Sequence, residues 1–427
     1  MRRSPIMFSA MVLLTASCGE KPVDTRANLH LWQHQTGPEE HEANKQLIAR
    51  FNAGHPDLKI HAQTIPQGSY PQSVMAAAMA GRLPCVLTVD SPMVPAFVWA
   101  GHIRPLDDLI DRNAFAEIAP AGLGRYNGHI YAVGQFDAAL AIFTRRSTLA
   151  QVGARIPTVQ HPWTREEFDG LLGKLKATGR WQVPLDLGTR EPNPNWWTYA
   201  YSPLLQSFGG DLIDRGANQT AQGVLNGPAA QQWAVWFRSL FVNGFARRQE
   251  PDDQSLLHGR VAMAYTGNWR APDLEKAFGK DLLILPPPDL GHGVVIGGGS
   301  WQWAISSTCK SPKEAANFIQ HVIRTDEIAD MASAAGMIPS TEAAAERTSR
   351  FRRGGDWRVF FDLSRAYAQQ RPSTPAFTTI SNAWYRAARD IMDGTNPRDS
   401  LDDAVDEIDQ SIQDNGGFAT VAKGKSR

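Results

Sequence analysis

The stretch Gly124-Arg-Tyr-Asn-Gly-His-Ile-Tyr-Ala-Val-Gly-Gln-Phe-Asp-Ala-Ala-Leu-Ala-Ile-Phe-Thr-Arg-Arg-Ser147 holds two apolar runs separated by a polar break. Asn127-Gly128 is a tight-turn dipeptide, and Ile130-Tyr-Ala-Val133 after it reads as a strand. Ala138-Ala-Leu-Ala-Ile-Phe143 reads as a second apolar run. Gly134, Gln135 and Asp137 lie between the two, so polar groups sit where one sheet hands the chain to another. A carboxylate between two buried strands needs a partner, and in a cleft that partner can be a ligand. The same residues also suit an ordinary turn with a solvated Asp137.

At 427 residues the chain is too long for one core, and two domains are expected. The 43 basic and 43 acidic residues cancel, which gives no electrostatic argument for nucleic acid or an anionic membrane surface. Thirteen Trp are many for this length; aromatic faces stack on CH-rich ligands, but they also fill cores. Arg2, Arg3 and the apolar run Ile6 to Ser17 read as a targeting segment too short to span a bilayer. Leu14-Thr-Ala-Ser-Cys18 resembles a bacterial lipobox, with Thr15 in place of the usual Leu, so Cys18 is expected to carry a lipid; simple signal-peptidase cleavage is the alternative. Only Cys85 and Cys309 follow it, which is no disulfide framework, and their pairing stays open.

Strands and helices alternate through the first third. Leu29 to His34 alternates as a strand, and a helix follows with Pro38 near its first position, acidic Glu39 and Glu40 in its first turn, and Ala43, Leu47, Ile48 and Phe51 on one face. Leu58 to Thr64, Val86 to Val89 and Trp301 to Ser306 read as strands, Met75 to Ala80 as a helix. The pattern indicates an α/β lobe with a mainly parallel sheet. Ligands bind beyond the carboxyl ends of such strands, where Gln35, Glu40 and Asp90 would sit. In a second lobe, Thr164 to Glu167 reads as a capping box and Pro194-Asn-Trp-Trp-Thr-Tyr199 as an aromatic cluster entering a helix; Ser311 to Glu314, after the return crossing, reads as another capping box. The run Pro286-Pro-Pro288 to Gly297-Gly-Gly-Ser-Trp301 reads as a return crossing. Beyond Pro339 the chain reads as helical to about Gln413.

The order of several short pieces resembles the family 1 extracellular solute-binding proteins of ABC transporters, the carbohydrate-binding group. They are Phe51-Asn-Ala-Gly-His-Pro56, Ala100-Gly-His-Ile-Arg-Pro-Leu-Asp107, Asn127-Gly-His-Ile-Tyr-Ala-Val133, Trp163-Thr-Arg-Glu-Glu-Phe168, Gly259-Arg-Val-Ala-Met263, Gly297 to Ser306, Ser311-Pro-Lys-Glu-Ala-Ala316 and Gly336-Met-Ile-Pro339. Cys85 stands where that family often has Asp. The resemblance implies a two-lobed periplasmic-binding-protein-like (type II) α/β fold with a ligand cleft between lobes. Its divisions would be 1–18 signal peptide, 19–27 linker, 28–137 with 296–338 N-terminal lobe, 138–295 with 339–415 C-terminal lobe, and 416–427 tail. Crossings would lie near Phe136 to Leu140, Pro287 to Gly299 and Met337 to Thr341. It implies a periplasmic or outer-face receptor, acting as a monomer without a cofactor or catalytic residue, that hands a di- or oligosaccharide to a membrane permease by lobe closure. Carried over by position, Glu40, Asp90, Asp137, Trp269, Trp301 and Arg371 would contact the ligand, with Trp197, Gln35 and His34 as further contacts.

Sugar hydroxyls need donors and acceptors together, which carboxylates, Gln and Arg supply. At about 1.5–3 kcal/mol for each charged hydrogen bond, three or four hold a neutral disaccharide near micromolar once binding costs are met. A metal centre among His30, His34 and His41 fails on spacing. On one strand His30 and His34 would be about 13 Å apart at ~3.3 Å per residue. A secreted glycoside hydrolase or lyase would need paired carboxylates, one marked as an acid, and no residue is so marked. The same fold could instead take a glycerol phosphate ester or an amino sugar, with Arg270 and Arg371 as the cations.

Overall fold

The computed structural model describes residues 27–35, 37–217 and 219–418. Cys18 and the targeting segment lie outside the described residues. β1 (Ala27–Gln35) passes into α1 (Pro38–Gly54), which opens on Pro38 with Glu39 and Glu40 in its first turn and buries Ala43, Leu47, Ile48 and Phe51. The acidic side chains face the positive end of the helix dipole. β2 (Leu58–Pro66) lies parallel to β1 from Ala27↔Leu58 to Gln35↔Pro66. α2 (Tyr70–Met79) starts five residues before the expected helix, and β3 (Val86–Asp90) runs parallel on the other side of β1. β4 (Leu123–Tyr126) and β5 (His129–Val133) form a hairpin whose turn residues Asn127 and Gly128 have φ of 47° and 81°. Both are left-handed, as a type I′ turn requires.

β6 (Phe136–Asp137) leads out of this sheet. The second unit comprises β7 (Leu140–Arg145), α3 (Arg165–Ala177), β8 (Val183–Asp186), α4 (Pro194–Gln206), α5 (Pro228–Val242), β9 (Val261–Gly267) and β10 (Leu282–Leu285). The capping box at α3 is complete: the Glu167 amide donates to Thr164 Oγ1 at 3.2 Å, and the Thr164 amide to Glu167 Oε2 at 3.0 Å. β11 (Ile296–Gly298) and β12 (Trp301–Ile305) return the chain. α6 (Pro312–Val322), β13 (Ile338–Pro339), α7 (Arg358–Tyr367), β14 (Ala368–Gln370), α8 (Phe377–Asp393) and α9 (Pro397–Asp414) follow. Ser311 makes no side-chain cap to α6, so the second expected capping box is absent; Pro312, with no amide hydrogen, opens the helix instead. The expected helical run past Pro339 is likewise interrupted by β14.

The first sheet has the order β2-β1-β3-β12-β5-β4, the second β10-β7-β9-β8. The expectation of a mainly parallel first sheet needs correction. β12 comes back from the second unit and inserts antiparallel between β3 and β5, so the sheet is mixed. Each sheet has its own core. Phe51 and Phe318 meet edge to face at 5.2 Å in the first, and Trp233 packs at 4.6 Å from Trp384 and 5.0 Å from Phe237 in the second. Cys85 and Cys309 are joined in a disulfide, tying the start of β3 to the loop after β12 across 224 residues of sequence.

Two short sheets carry the chain between the units. β6 pairs antiparallel with β13, Asp137 opposite Ile338, and β11 pairs parallel with β14. The glycines of the return passage have a steric reason. A Cβ on Gly297 would stand 2.4 Å from the Tyr199 carbonyl of α4, and one on Gly299, at φ 84°, 2.3 Å from Ser91 Oγ. Only a chain without side chains passes there.

Candidate functional site

On the first unit the site grows from the ends of β1 and β3 and the start of β12. Antiparallel register sets Trp301 directly opposite Asp90. The indole of Trp301 lies on the imidazole of His34, ring centres 3.8 Å apart and planes 15° from parallel, with Tyr70 edge-on at 5.5 Å. His34 is buried, and burial pushes its pKa down to about 3, so the ring is neutral at physiological pH. Its Nδ1 is 3.2 Å from Thr88 Oγ1, and its Nε2 is 3.5 Å from Oε1 of buried Glu40 in the first turn of α1. Thr88 in turn bonds the Tyr70 hydroxyl, Oγ1 donating at 3.0 Å and the carbonyl accepting at 2.8 Å.

On the second unit Trp269 projects from the turn that ends β9, 38% exposed although it is large and apolar. Trp196 meets it edge-on at 6.1 Å, and Tyr199 lies tilted at 6.4 Å, both from α4. Buried Asn268 holds the base of this turn: its Oδ1 accepts the Ala139 amide at 3.1 Å, and its Nδ2 donates to the Gly336 carbonyl at 3.0 Å.

Arg371 joins the two halves. Its guanidinium clasps Asp90 through both oxygens, at 2.7 and 3.2 Å, while lying 5.4 Å above the Tyr199 ring and 5.9 Å from Phe377. Buried in this way, the charge is compensated by a two-bond carboxylate and two ring faces. A continuous run of contacts therefore passes from Trp301 through Asp90, Arg371 and Tyr199 to Trp269.

Two expected contacts are engaged by other parts of the chain. Asp137 is buried, and its oxygens are engaged by the chain itself. Oδ1 accepts the Ala138 amide at 2.8 Å and the Gly299 amide at 3.2 Å, and Oδ2 accepts the Ser364 hydroxyl at 2.5 Å. It ties crossing segments together. Trp197 is fully buried; its indole donates to the Glu191 carbonyl at 2.7 Å and packs edge-on to Tyr201 and Tyr385. Its neighbour Trp196 faces Trp269 instead. Gln35 ends β1, and its side chain lies outside the described residues. Sequence reasoning missed Trp196, Tyr199 and Tyr70; the signal for the first two was their spacing of three on one helix, which puts them on one face. A groove of about 480 Å³ between the Asn127-Gly128 hairpin, Ser373 to Pro375 and Phe418 is lined by none of the expected contact residues.

Comparison with known proteins agrees with this architecture. The GacH receptor of Streptomyces glaucescens, crystallised unliganded and with acarbose, superposes with a TM-score of 0.77 at 20% identity, covering 91% of this chain and 99% of that one. The cyclic α-maltosyl-1,6-maltose binding protein of Arthrobacter globiformis gives 0.77 at 19% identity, over 91% and 100%. The maltose/maltodextrin-binding domain MalE of Bdellovibrio bacteriovorus, bound to maltotriose, gives 0.74 at 18%, over 91% and 100%. Identities this low speak for the fold alone, an α/β periplasmic-binding-protein fold. A protein called an uncharacterized lipoprotein in the oleD 5′ region of Streptomyces antibioticus is 25% identical over 355 residues, 79% of this chain and 76% of that protein. The model of the bacterial extracellular solute-binding proteins matches residues 46–354, well over half of a chain whose two sheets and crossings have that architecture; the protein belongs to this family.

Proposed function

We propose that this ABC solute-binding protein, a receptor and not an enzyme, takes a neutral di- or oligosaccharide between its lobes and delivers it to a membrane permease by closing on it. The observation that carries the reading is the run Trp301–Asp90–Arg371–Tyr199–Trp269, which sets an aromatic face on each unit with an ion pair between them. Indole faces suit the CH-rich faces of sugar rings, and the charged groups suit their hydroxyls. The solved neighbours described with acarbose, maltotriose or a cyclic maltosyl sugar support the same ligand class. We place the lobe boundaries at the paired crossings, with 28–137 and 296–338 in one lobe and 138–295 and 339–415 in the other. Glu40, Asp90, Trp269, Trp301 and Arg371 are the proposed contacts, joined by Trp196 and Tyr199.

A glycerol phosphate ester fits less well. Arg371 is already matched by Asp90, and Arg270 lies between Asp253 at 3.3 Å and Asp273 at 3.6 Å, so neither cation is in surplus. Among the described residues no helix is long and apolar enough to cross a membrane. We assign anchoring, outside the cytoplasm and with the receptor a monomer, to a lipid on Cys18. The test is thermal unfolding with maltose, maltotriose, glucosamine and glycerol 3-phosphate. At a hundredfold excess over Kd a ligand stabilises by about 2.7 kcal/mol. A rise in Tm with maltotriose and none with glycerol 3-phosphate is expected, and the reverse pattern refutes the reading.

A further inference from the structure

We propose that His34 is a positioning residue, which holds the indole of Trp301 in the plane it presents to a ligand. The inference rests on the proposed site and gives His34, expected above as a further contact, a supporting role behind Trp301. His34 is buried near the end of β1, only 4% exposed. Its ring covers one face of the Trp301 indole at 3.8 Å, and Tyr70 closes the edge at 5.5 Å. The opposite indole face is then the one available for stacking. A lone Trp at the start of a strand has several staggered rotamers to choose from. Here the imidazole limits that freedom, because it is itself confined: it is buried, Thr88 Oγ1 stands 3.2 Å from Nδ1, and the Tyr70 ring meets it edge-on at 6.1 Å.

Thr88 is held in its turn. It accepts the His34 backbone amide at 3.2 Å and donates to the Tyr70 hydroxyl at 3.0 Å, and that hydroxyl bonds the Thr88 carbonyl at 2.8 Å. One side chain from β3, one from α2 and one from α1 therefore surround the β1 ring that backs a residue of β12. The flat shape and Nδ1 are both in use, while the buried Nε2 faces Glu40 without a hydrogen bond. A phenyl ring at this position keeps the flat support, and a glutamine keeps a polar contact with Thr88 without the ring.

The experiment is ¹⁹F NMR of the full chain labelled with 5-fluorotryptophan, the Trp301 line being assigned by its loss in Trp301→Phe. His34→Ala and His34→Gln are expected to shift and broaden that line, while His34→Phe keeps it sharp. With maltotriose as probe, affinity is expected to fall at least tenfold in His34→Ala and to stay within about threefold in His34→Phe. A Trp301 line unchanged in His34→Ala or His34→Gln overturns the proposal, as does a line in His34→Phe as broad as in His34→Gln. Should the unsubstituted protein not bind maltotriose, the sugar reading fails, and the NMR comparison still decides the role of His34.

Discussion

Replacing Asp137 separates a residue that binds ligand from one that holds the crossings. The carboxylate accepts two backbone amides on Oδ1 and one hydroxyl on Oδ2, from three different segments. At about 1.5–3 kcal/mol for each bond to a charged acceptor, the gross loss in Asp137→Ala is roughly 4.5–9 kcal/mol. Removing a buried charge returns part of this, since desolvation is the largest influence on the group and raises its pKa above the usual carboxylate range. A net destabilisation of about 3–5 kcal/mol is expected. Asp137→Asn should cost about 1 kcal/mol or less. Its Oδ1 still accepts both amides, its Nδ2 meets the Ser364 oxygen, and no charge is buried. The pH dependence has a definite sign. A raised native pKa means the folded protein binds the proton more tightly than the unfolded chain. The wild type thus gains stability from this group as pH falls through the native pKa, and the gain is complete below the unfolded value. Asp137→Asn lacks that gain, so the difference between the two shifts towards the wild type as pH falls from 7 to 4. Urea unfolding of both variants at several pH values measures all of this. Asp137→Asn as unstable as Asp137→Ala would refute the account of its bonds. A sugar affinity reduced more than tenfold in a stable Asp137→Asn would return the carboxylate to the ligand.

The other expectations concern the pieces around it. Trp269→Ala should weaken sugar binding more than tenfold with little change in urea midpoint, because the ring is part exposed, whereas Trp197→Ala should cost about 3–5 kcal/mol as a large core truncation. Arg371→Ala leaves part-buried Asp90 without its partner and should cost about 2–4 kcal/mol, while the double replacement with Asp90→Ala should cost less than the sum of the single ones; calorimetry of the four proteins gives the coupling. Reducing the Cys85–Cys309 bridge should lower stability by about 2–5 kcal/mol, below the ceiling for so long a loop if the inserted second lobe unfolds separately; unfolding midpoints with and without reductant report it. Small-angle scattering should show a smaller radius of gyration with bound ligand, and identical profiles would count against closure.

Much of the fold was legible because its local signals are strong and act within a few residues. The Asn127-Gly128 turn needs two left-handed residues in succession, and that dipeptide supplies them cheaply. The Thr164 to Glu167 box can be read because both of its bonds lie within four residues. Ser311 to Glu314 has the same hydroxyl-x-x-Glu pattern and no such bond, so spelling alone does not establish a cap. The mixed first sheet was not legible, since the direction of β12 depends on how the chain returns from a lobe more than a hundred residues long. The disulfide was hidden for the same reason: adjacency of β3 and β12 brings together cysteines 224 residues apart.

The candidate site divides along the same line. Family position named Asp90, Trp301, Trp269 and Arg371, and the contacts that join them are all long-range. Asp90 meets Arg371 across 281 residues, and the Trp269 ring rests on a helix about 70 residues earlier. What sequence order could not decide was the facing of adjacent residues. Trp196 and Trp197 differ by about 100° of rotation on α4, and with aromatic residues on both faces no periodicity distinguishes them. The helix buries Trp197 against Tyr385 of α8 and turns Trp196, with Tyr199 three residues on, towards Trp269. Asp137 was ambiguous for a different reason. A carboxylate at a crossing is a reasonable ligand contact only while its oxygens are free, and here two amides and a serine hydroxyl reach them first. The polar break of residues 134–137 marks the place where the lobes must be held together, and the polar side chain there serves the hinge.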